Sequence, residues 1–159
     1  MINKNPMTRD GFDNLTRELQ QLTTVERRAI SKEIGIAREH GDISENAEYQ
    51  YAKEKQGQIE SRIAYIQDFL SNSQIISLSD ILKNGKACFG STVKILNCET
   101  EAVKEYKIVG ELEADIKNKK ISYKSPLAKC LIGKSAGDDV EMETPKSVQY
   151  WEILEINYI

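Results

Sequence analysis

Asp42 and Glu45 stand three residues apart within His40–Tyr49, "HGDISENAEY", a polar stretch between two long helical patterns. Two chemistries suit that spacing. An acid at a helix N-terminus followed three residues later by a second is a capping box, in which Asp42 accepts from first-turn amides while Glu45 reaches back. The helix dipole favours negative charge at the same place. Alternatively, two carboxylates one helical turn apart offer oxygens to a hard cation such as Mg²⁺, which usually shares its coordination with phosphates or further carboxylates. Spacing alone favours the cap, because helix N-termini so often recruit such residues. On its own the pair makes no active site, since an exposed turn has no cavity, no nucleophile and nothing to exclude water. Chemistry here requires insertion into a partner's site. Ile43 and Ser44, between the two acids, are not fixed by the metal reading, which needs only oxygens at the two ends.

The flanking periodicity says what must position the pair. From Thr8 the pattern is helical: Phe12, Leu15, Leu19 and Leu22 are spaced 3, 4 and 3 apart, and Ala29 and Ile36 continue the stripe. Glu26 and Glu33 fall on that stripe, whereas Val25 and Ile30 flank it. After Gly41, the residues Ala52, Gln56, Ile59, Ile63, Ile66 and Leu70 recur at intervals of 4, 3, 4, 3 and 4, which is a heptad seam. Extended backward, the seam passes through Tyr49 and Glu45. A short polar connection forces two such helices to run antiparallel. A helix of about 28 residues is roughly 40 Å long, so the acidic turn is expected at the far end of a rod. Ser71-Asn72-Ser73 closes the second helix.

Beyond residue 75 the period changes. Ser91–Leu96, Ala102–Val109, Ile121–Tyr123, Val140–Met142 and Val148–Ile156 are rich in β-branched and aromatic residues, and glycines and prolines punctuate them. Short strands so spaced predict an antiparallel sheet. Ser125 and Pro126 open a short helix over 125–132, as cap and first helical residue. The fold class is therefore α+β, with a helical hairpin over 1–75 and a sheet domain over 76–159.

Composition excludes several functions. The net charge is −3, and division after Gln74 leaves 10 basic and 12 acidic residues before it, 12 and 13 after it. Neither half is a basic module that wraps free nucleic acid. Cys88, Cys98 and Cys130 fit no zinc spacing and read as reduced thiols in a cytoplasmic protein. His40 is the single histidine and has no evident partners for metal or nucleophile chemistry. Gly133-Lys134-Ser135 resembles the end of a phosphate-binding loop, but the glycine required five residues earlier is Ala128. No segment approaches the roughly 20 apolar residues of a membrane span, and the first residues lack the apolar core of a secretion signal.

Residues 37–63, "AREHGDISENAEYQYAKEKQGQIESRI", resemble the N-terminal coiled coil of the bacterial GreA/GreB transcript cleavage factors. The resemblance continues through "FGSTVKIL" at 89–96, "YKIVGELEAD" at 106–115, "ISYKSPLAKCLIGKSAGDDV" at 121–140 and the terminal "WEILEINY". It implies a coiled-coil hairpin joined to a C-terminal domain of FKBP-like fold. It further implies an accessory factor rather than a free-standing enzyme. The globular domain docks on RNA polymerase, with Ser125 and Pro126 in the facing loop, and the hairpin enters the secondary channel. Asp42 and Glu45 then help hold the polymerase's second Mg²⁺ and orient water against the 3′ end of backtracked nascent RNA. Such cleavage is two-metal phosphodiester hydrolysis, and it returns an arrested complex to elongation. The matching motif also places Asn46 and Tyr49 at the tip or the RNA end, and Lys53, with Arg38 less strongly, against RNA phosphates. A helix-start polar residue, a seam tyrosine and solvated basic side chains account for the same four residues. Gln50, Tyr51, Gln56 and Gln58 dilute Lys53 and Lys55, which resembles the GreA branch more than the GreB branch. A monomer is expected. The rival readings are a channel-blocking inhibitor of the same architecture, which an intact Asp42/Glu45 pair disfavours, and a chaperone or prolyl isomerase, which needs an aromatic-lined pocket.

Overall fold

A computed structural model describes residues 4–41 and 46–159. The chain divides into two compact units, one made of Phe12–Ser73 and the other of Lys4–Gly11 with Gln74–Ile159.

In the first unit, helix α1 (Arg9–Gln21, its first turn belonging to the second unit) passes through a π-helical turn, Leu22–Glu26, into α2 (Arg27–Glu39). A π turn holds an extra residue relative to the α-helix, so every later position on the stripe moves forward by one. Leu15 and Leu22 are buried as the periodicity predicts, but the stripe then continues through Ile30, Ile34 and Ala37. Ala29 and Ile36, expected on the buried face, are exposed instead. Two threonines sit in the turn: Thr23 Oγ1 donates to the Leu19 carbonyl at 2.9 Å and Thr24 Oγ1 to the Gln20 carbonyl at 2.6 Å. Such back-bonding competes for the carbonyls of the regular helix and bends it.

Helix α3 (Ala47–Ser71) returns along α2 and keeps an unbroken heptad. Ala52, Ile59, Ile63 and Ile66 are buried on it, with Gln56 half-buried among them. At its last turn Phe69 takes the seam, and Leu70 is only half-buried. Two bidentate ion pairs cross the hairpin. Arg27 reaches both carboxylate oxygens of Glu60 at 2.8 and 2.9 Å, and Arg62 those of Glu18 at 2.8 and 3.1 Å. Fork-to-fork pairs fix geometry as well as charge, so they set the register in which the antiparallel helices lie.

The second unit pairs a short strand β1 (Asn5–Met7) with β2 (Ser73–Ile75), a ribbon that the sequence pattern did not reveal. Its main sheet has the order β5-β4-β3-β7-β6, built from β3 (Thr92–Asn97), β4 (Val103–Val109), β5 (Lys120–Ser122), β6 (Asp139–Glu143) and β7 (Val148–Asn157). Three of its pairings are antiparallel, as expected, but β4 and β5 run parallel. The chain between them crosses over through two 3₁₀ turns, Glu111–Glu113 and Ile116–Asn118, and so re-enters the sheet in the same direction. Helix α4 (Pro126–Leu131) follows β5 and contributes Ala128 and Leu131 to a core with Val93, Ile95, Ile108 and Ile153. Trp151 joins that core, and its indole Nε1 has no hydrogen-bond partner among the described residues.

Glu113 is the polar organiser of this unit. Its carboxylate accepts from the Thr8 amide at 3.0 Å, from the Thr8 hydroxyl, and from the Gly110 amide at 2.8 Å. Thr8 Oγ1 in turn accepts from the Gly11 amide at 3.1 Å, capping the start of α1. Gly11 has no side chain for a reason of space: a Cβ there would lie 2.0 Å from Glu113 Oε1.

Candidate functional site

The end of α2 and the start of α3 flank residues 42–45 in sequence, and Asp42 and Glu45 themselves lie outside the described residues. Helix α2 stops at His40, whose amide donates to the Ala37 carbonyl at 3.2 Å. Gly41 follows with φ +134, a backbone conformation open to glycine and strained for any other residue. On the far side, α3 is capped by Asn46. Its backbone is extended, and its Oδ1 accepts from the Tyr49 amide at 3.1 Å. The capping role that the Asp42–Glu45 spacing suggested for the second helix is thus filled by Asn46. Glu48, in the first turn, supplies the dipole-matched charge.

Asn46 also works across the hairpin. Its Nδ2 donates to the Ala37 carbonyl in the last turn of α2, which thereby gains a second donor beside the His40 amide. One amide side chain therefore closes the N-terminus of α3 and the C-terminus of α2 together. The glutamate three residues after an aspartate is a capping-box signal, and it drew the sequence reading to Asp42. The competing signal was Asn46 itself, one of the strongest N-cap residues, placed immediately before a run of helix formers.

Asn46, Tyr49 and Lys53 follow one another at three and four residues, so they share one face of α3. Arg38 reaches that face from α2, its guanidinium carbon 5.7 Å from the Tyr49 ring centroid. Tyr49 is half-buried, as a seam residue should be, and its exposed side carries the arginine. Lys53 is exposed, and its Nζ donates to Gln56 Oε1 at 3.1 Å. The structure thus brings together Arg38, Asn46, Tyr49 and Lys53. A guanidinium beside the Tyr49 ring and an exposed ammonium on the same face suit the phosphates of a nucleic-acid strand.

His40 has a partner that the sequence reading did not find: its Nδ1 lies 3.0 Å from Glu48 Oε2 at the surface. Among the described residues, no three of His, Cys, Asp and Glu converge as a metal would require. In the second unit, Ser125 caps α4 by accepting from the Ala128 amide at 3.2 Å, and Pro126 holds the first helical position. Pro126 is exposed and Ser125 half-buried. Cys88 is partly buried, which pushes its thiol pKa up and keeps it protonated, and no disulfide joins the three cysteines. No helix among the described residues is long and apolar enough to cross a membrane.

Comparison with known proteins gives a concordant result over both units. The family profile for the N-terminal part of transcription elongation factors matches residues 5–75, and the GreA/GreB C-terminal profile matches 82–158. The transcription elongation factor GreA of Francisella tularensis subsp. novicida (strain U112) is 50% identical over 153 residues, 96% of each chain. The GreA of strain SCHU S4 of subsp. tularensis is identical to the same extent. Among solved structures, the transcription factor Gfh1 aligns over 98% of this chain and 99% of its own, with 24% identity and a TM-score of 0.47. The chain belongs to the GreA/GreB family of transcription elongation factors.

Proposed function

We propose that this elongation factor enters the secondary channel of RNA polymerase with its hairpin and stimulates the polymerase to cleave the 3′ end of backtracked RNA. The observation that carries the reading is the cap at Asn46. Helix α3 has its own N-terminal acceptor in Asn46, which leaves the carboxylates of Asp42 and Glu45 available for another purpose. The helices that flank them in sequence carry cations, with Arg38 against Tyr49 and Lys53 exposed on the same face of α3. Acids for a metal next to cations for phosphates are the two requirements of assisted phosphodiester hydrolysis.

In this mechanism Asp42 and Glu45 supply carboxylate oxygens to a Mg²⁺ shared with the polymerase active centre. Two carboxylates are too few to hold Mg²⁺ alone, so they act only where the polymerase and the RNA phosphate complete the set. Such a cation steadies the charge that develops on the scissile phosphate. Arg38 and Lys53 hold the extruded RNA strand by its phosphates, and Asn46 ties the end of α2 to the start of α3. Ser125 and Pro126 belong to the surface by which the second unit docks on the polymerase. The factor works as a cytoplasmic monomer and contributes ligands rather than a complete active site.

The test uses stalled, backtracked elongation complexes in Mg²⁺, with RNA length as the readout. Wild type should shorten the RNA from its 3′ end, and Asp42→Asn and Glu45→Gln should bind but fail to cleave. Wild-type inactivity would overturn the function, and full activity of both variants would return the acids to a structural role. A factor that occupied the channel and only slowed synthesis would be the inhibitor that shares this architecture.

A further inference from the structure

The hairpin end has a second face, and its chemistry is opposite to the first. On the side away from Arg38 and Tyr49, a groove opens between α2 and α3, floored by Ala37, Ala47 and Ala52. Ile36 and Tyr51 form its apolar walls and are 45% and 66% exposed. The charged residues that line it are carboxylates, Glu33 and Glu48, and Glu54 stands with Tyr51 in the adjoining hollow. Three alanines make this surface concave, and two large side chains edge it with apolar area that folding leaves in water.

The π turn is what exposes that area. In an uninterrupted helix Ile36 continues the stripe of Leu15, Leu22 and Ala29, which is a buried position. The extra residue of Leu22–Glu26 rotates it outward, beside Tyr51 of the neighbouring helix. The same turn brings Ile30 and Ile34 into the seam and takes Glu26 and Glu33 off it, and Ile36 is the apolar side chain that this exchange leaves in solvent.

We infer that the groove formed by Ile36, Tyr51, Ala37 and Ala52, edged by Glu33 and Glu48, is a docking site for a polymerase segment that presents an apolar side chain flanked by lysine or arginine. The inference rests on the proposed insertion of the hairpin into the channel. The groove lies on the same hairpin end as the proposed RNA-facing surface, so whatever surrounds that end meets both. Its carboxylates disfavour RNA and select a cationic protein surface. Arg38 and Lys53 then face the nucleic acid while Glu33 and Glu48 face protein, which orients the hairpin about its long axis.

The experiment measures the affinity of full-length factor for core polymerase separately from RNA cleavage at saturating factor. The variants are Ile36→Gln, Tyr51→Gln and the pair Glu33→Gln with Glu48→Gln, all at surface positions. Each apolar variant should weaken binding by about tenfold, the loss expected for an interface aromatic or aliphatic anchor. The paired glutamate variant should flatten the dependence of affinity on salt. Asp42→Asn should bind like wild type, so failure of the cleavage reading is visible independently of the groove. Wild-type affinity in all the groove variants would overturn the inference. So would a single-stranded RNA complex that Tyr51→Gln weakens, or a dimer of the free factor that Tyr51→Gln dissolves, since the occupant would then be RNA or a second copy. Circular dichroism of the variants should match wild type, and Tyr51→Phe should retain most of the affinity.

Discussion

Asn46→Ala removes two interactions from one side chain, and the structure permits each to be assigned. The first is the N-cap bond from the Tyr49 amide at 3.1 Å. Its loss costs about 1 kcal/mol, the central value for replacing a cap residue by alanine. The second is the Nδ2 bond to the Ala37 carbonyl. That carbonyl retains the His40 amide at 3.2 Å, so the net loss lies nearer 0.5 than 1.5 kcal/mol on the usual range. The sum is about 1.5 kcal/mol of local opening, or roughly a tenfold drop in protection. Amide hydrogen exchange is the appropriate assay, because a chain of two compact units has no single unfolding free energy. The amides of residues 49–51 should exchange about tenfold faster, and those of the α3 interior, around Ile63, should not change. Asn46→Asp separates the two bonds. A carboxylate accepts from the Tyr49 amide as well as the native amide does, but it has no N–H for the Ala37 carbonyl. Protection at Tyr49 should therefore persist in Asn46→Asp while the end of α2, at 38–40, loosens. Equal protection in wild type and Asn46→Ala would refute the assignment of the cap, and wild-type behaviour at 38–40 in Asn46→Asp would refute the bridge.

Other expectations follow from single contacts. Ile30→Ala should destabilise the hairpin by about 2–5 kcal/mol, whereas Ala29→Ser should change it by less than about 0.5 kcal/mol; urea unfolding followed by helix dichroism distinguishes this from the uninterrupted heptad, which predicts the reverse sensitivity. Gly11→Ala would set a Cβ against the Glu113 carboxylate and displace an acceptor of three bonds, so unit-two unfolding should come earlier by about 1–3 kcal/mol, and Glu113→Ala should make a subsequent Gly11→Ala nearly neutral. The Arg27 guanidinium holds the Glu60 carboxyl below its ordinary pKa, chiefly through their hydrogen bond. A carboxyl depressed in the folded state stabilises above its unfolded pKa and loses that contribution as pH falls through the folded value. Hairpin stability should accordingly decline below about pH 4.5, more steeply in wild type than in Glu60→Gln, and added salt should shrink the difference because the pair is solvent-exposed.

Much of this was visible in the residues because each unit relies on a single dominant period. The seam of α3 could be read from Ala52 to Ile66 since no residue is inserted there, and burial follows it. The strands of the main sheet fell within a residue or two of their expected ends, because β-branched runs bounded by glycine and proline leave little choice. What escaped was local and non-periodic. The π turn reverses no hydrophobic pattern; it shifts one, so Ala29 and Ile30 looked interchangeable until the turn decided between them. Glu26 and Glu33, carboxylates on a stripe of aliphatic residues, were the trace it left in the sequence. The β1–β2 ribbon is three residues on each side and contains Pro6, too short and too irregular for any period. The parallel β4–β5 pair depends on where a crossover lands, which composition does not encode. At the hairpin end, family resemblance identified Arg38, Asn46, Tyr49 and Lys53, and only coordinates could say that the first lies within cation–π range of the third and that the second bridges two helices.

The choice between a cap and a working end at Asp42 and Glu45 therefore depends on a different residue. A capping box is economical when no other acceptor is available, and here Asn46 is one, sitting directly before the helix it serves. Asp42, Glu45 and Glu48 bring three carboxylates within seven residues of sequence, and a partial set of carboxylates binds a cation well only where other ligands converge. The same logic extends to the groove on the opposite face, where exposed Ile36 and Tyr51 are unfavourable in water and favourable against a partner. An exposed apolar pair of this size is a liability in the free hairpin that a partner surface would relieve.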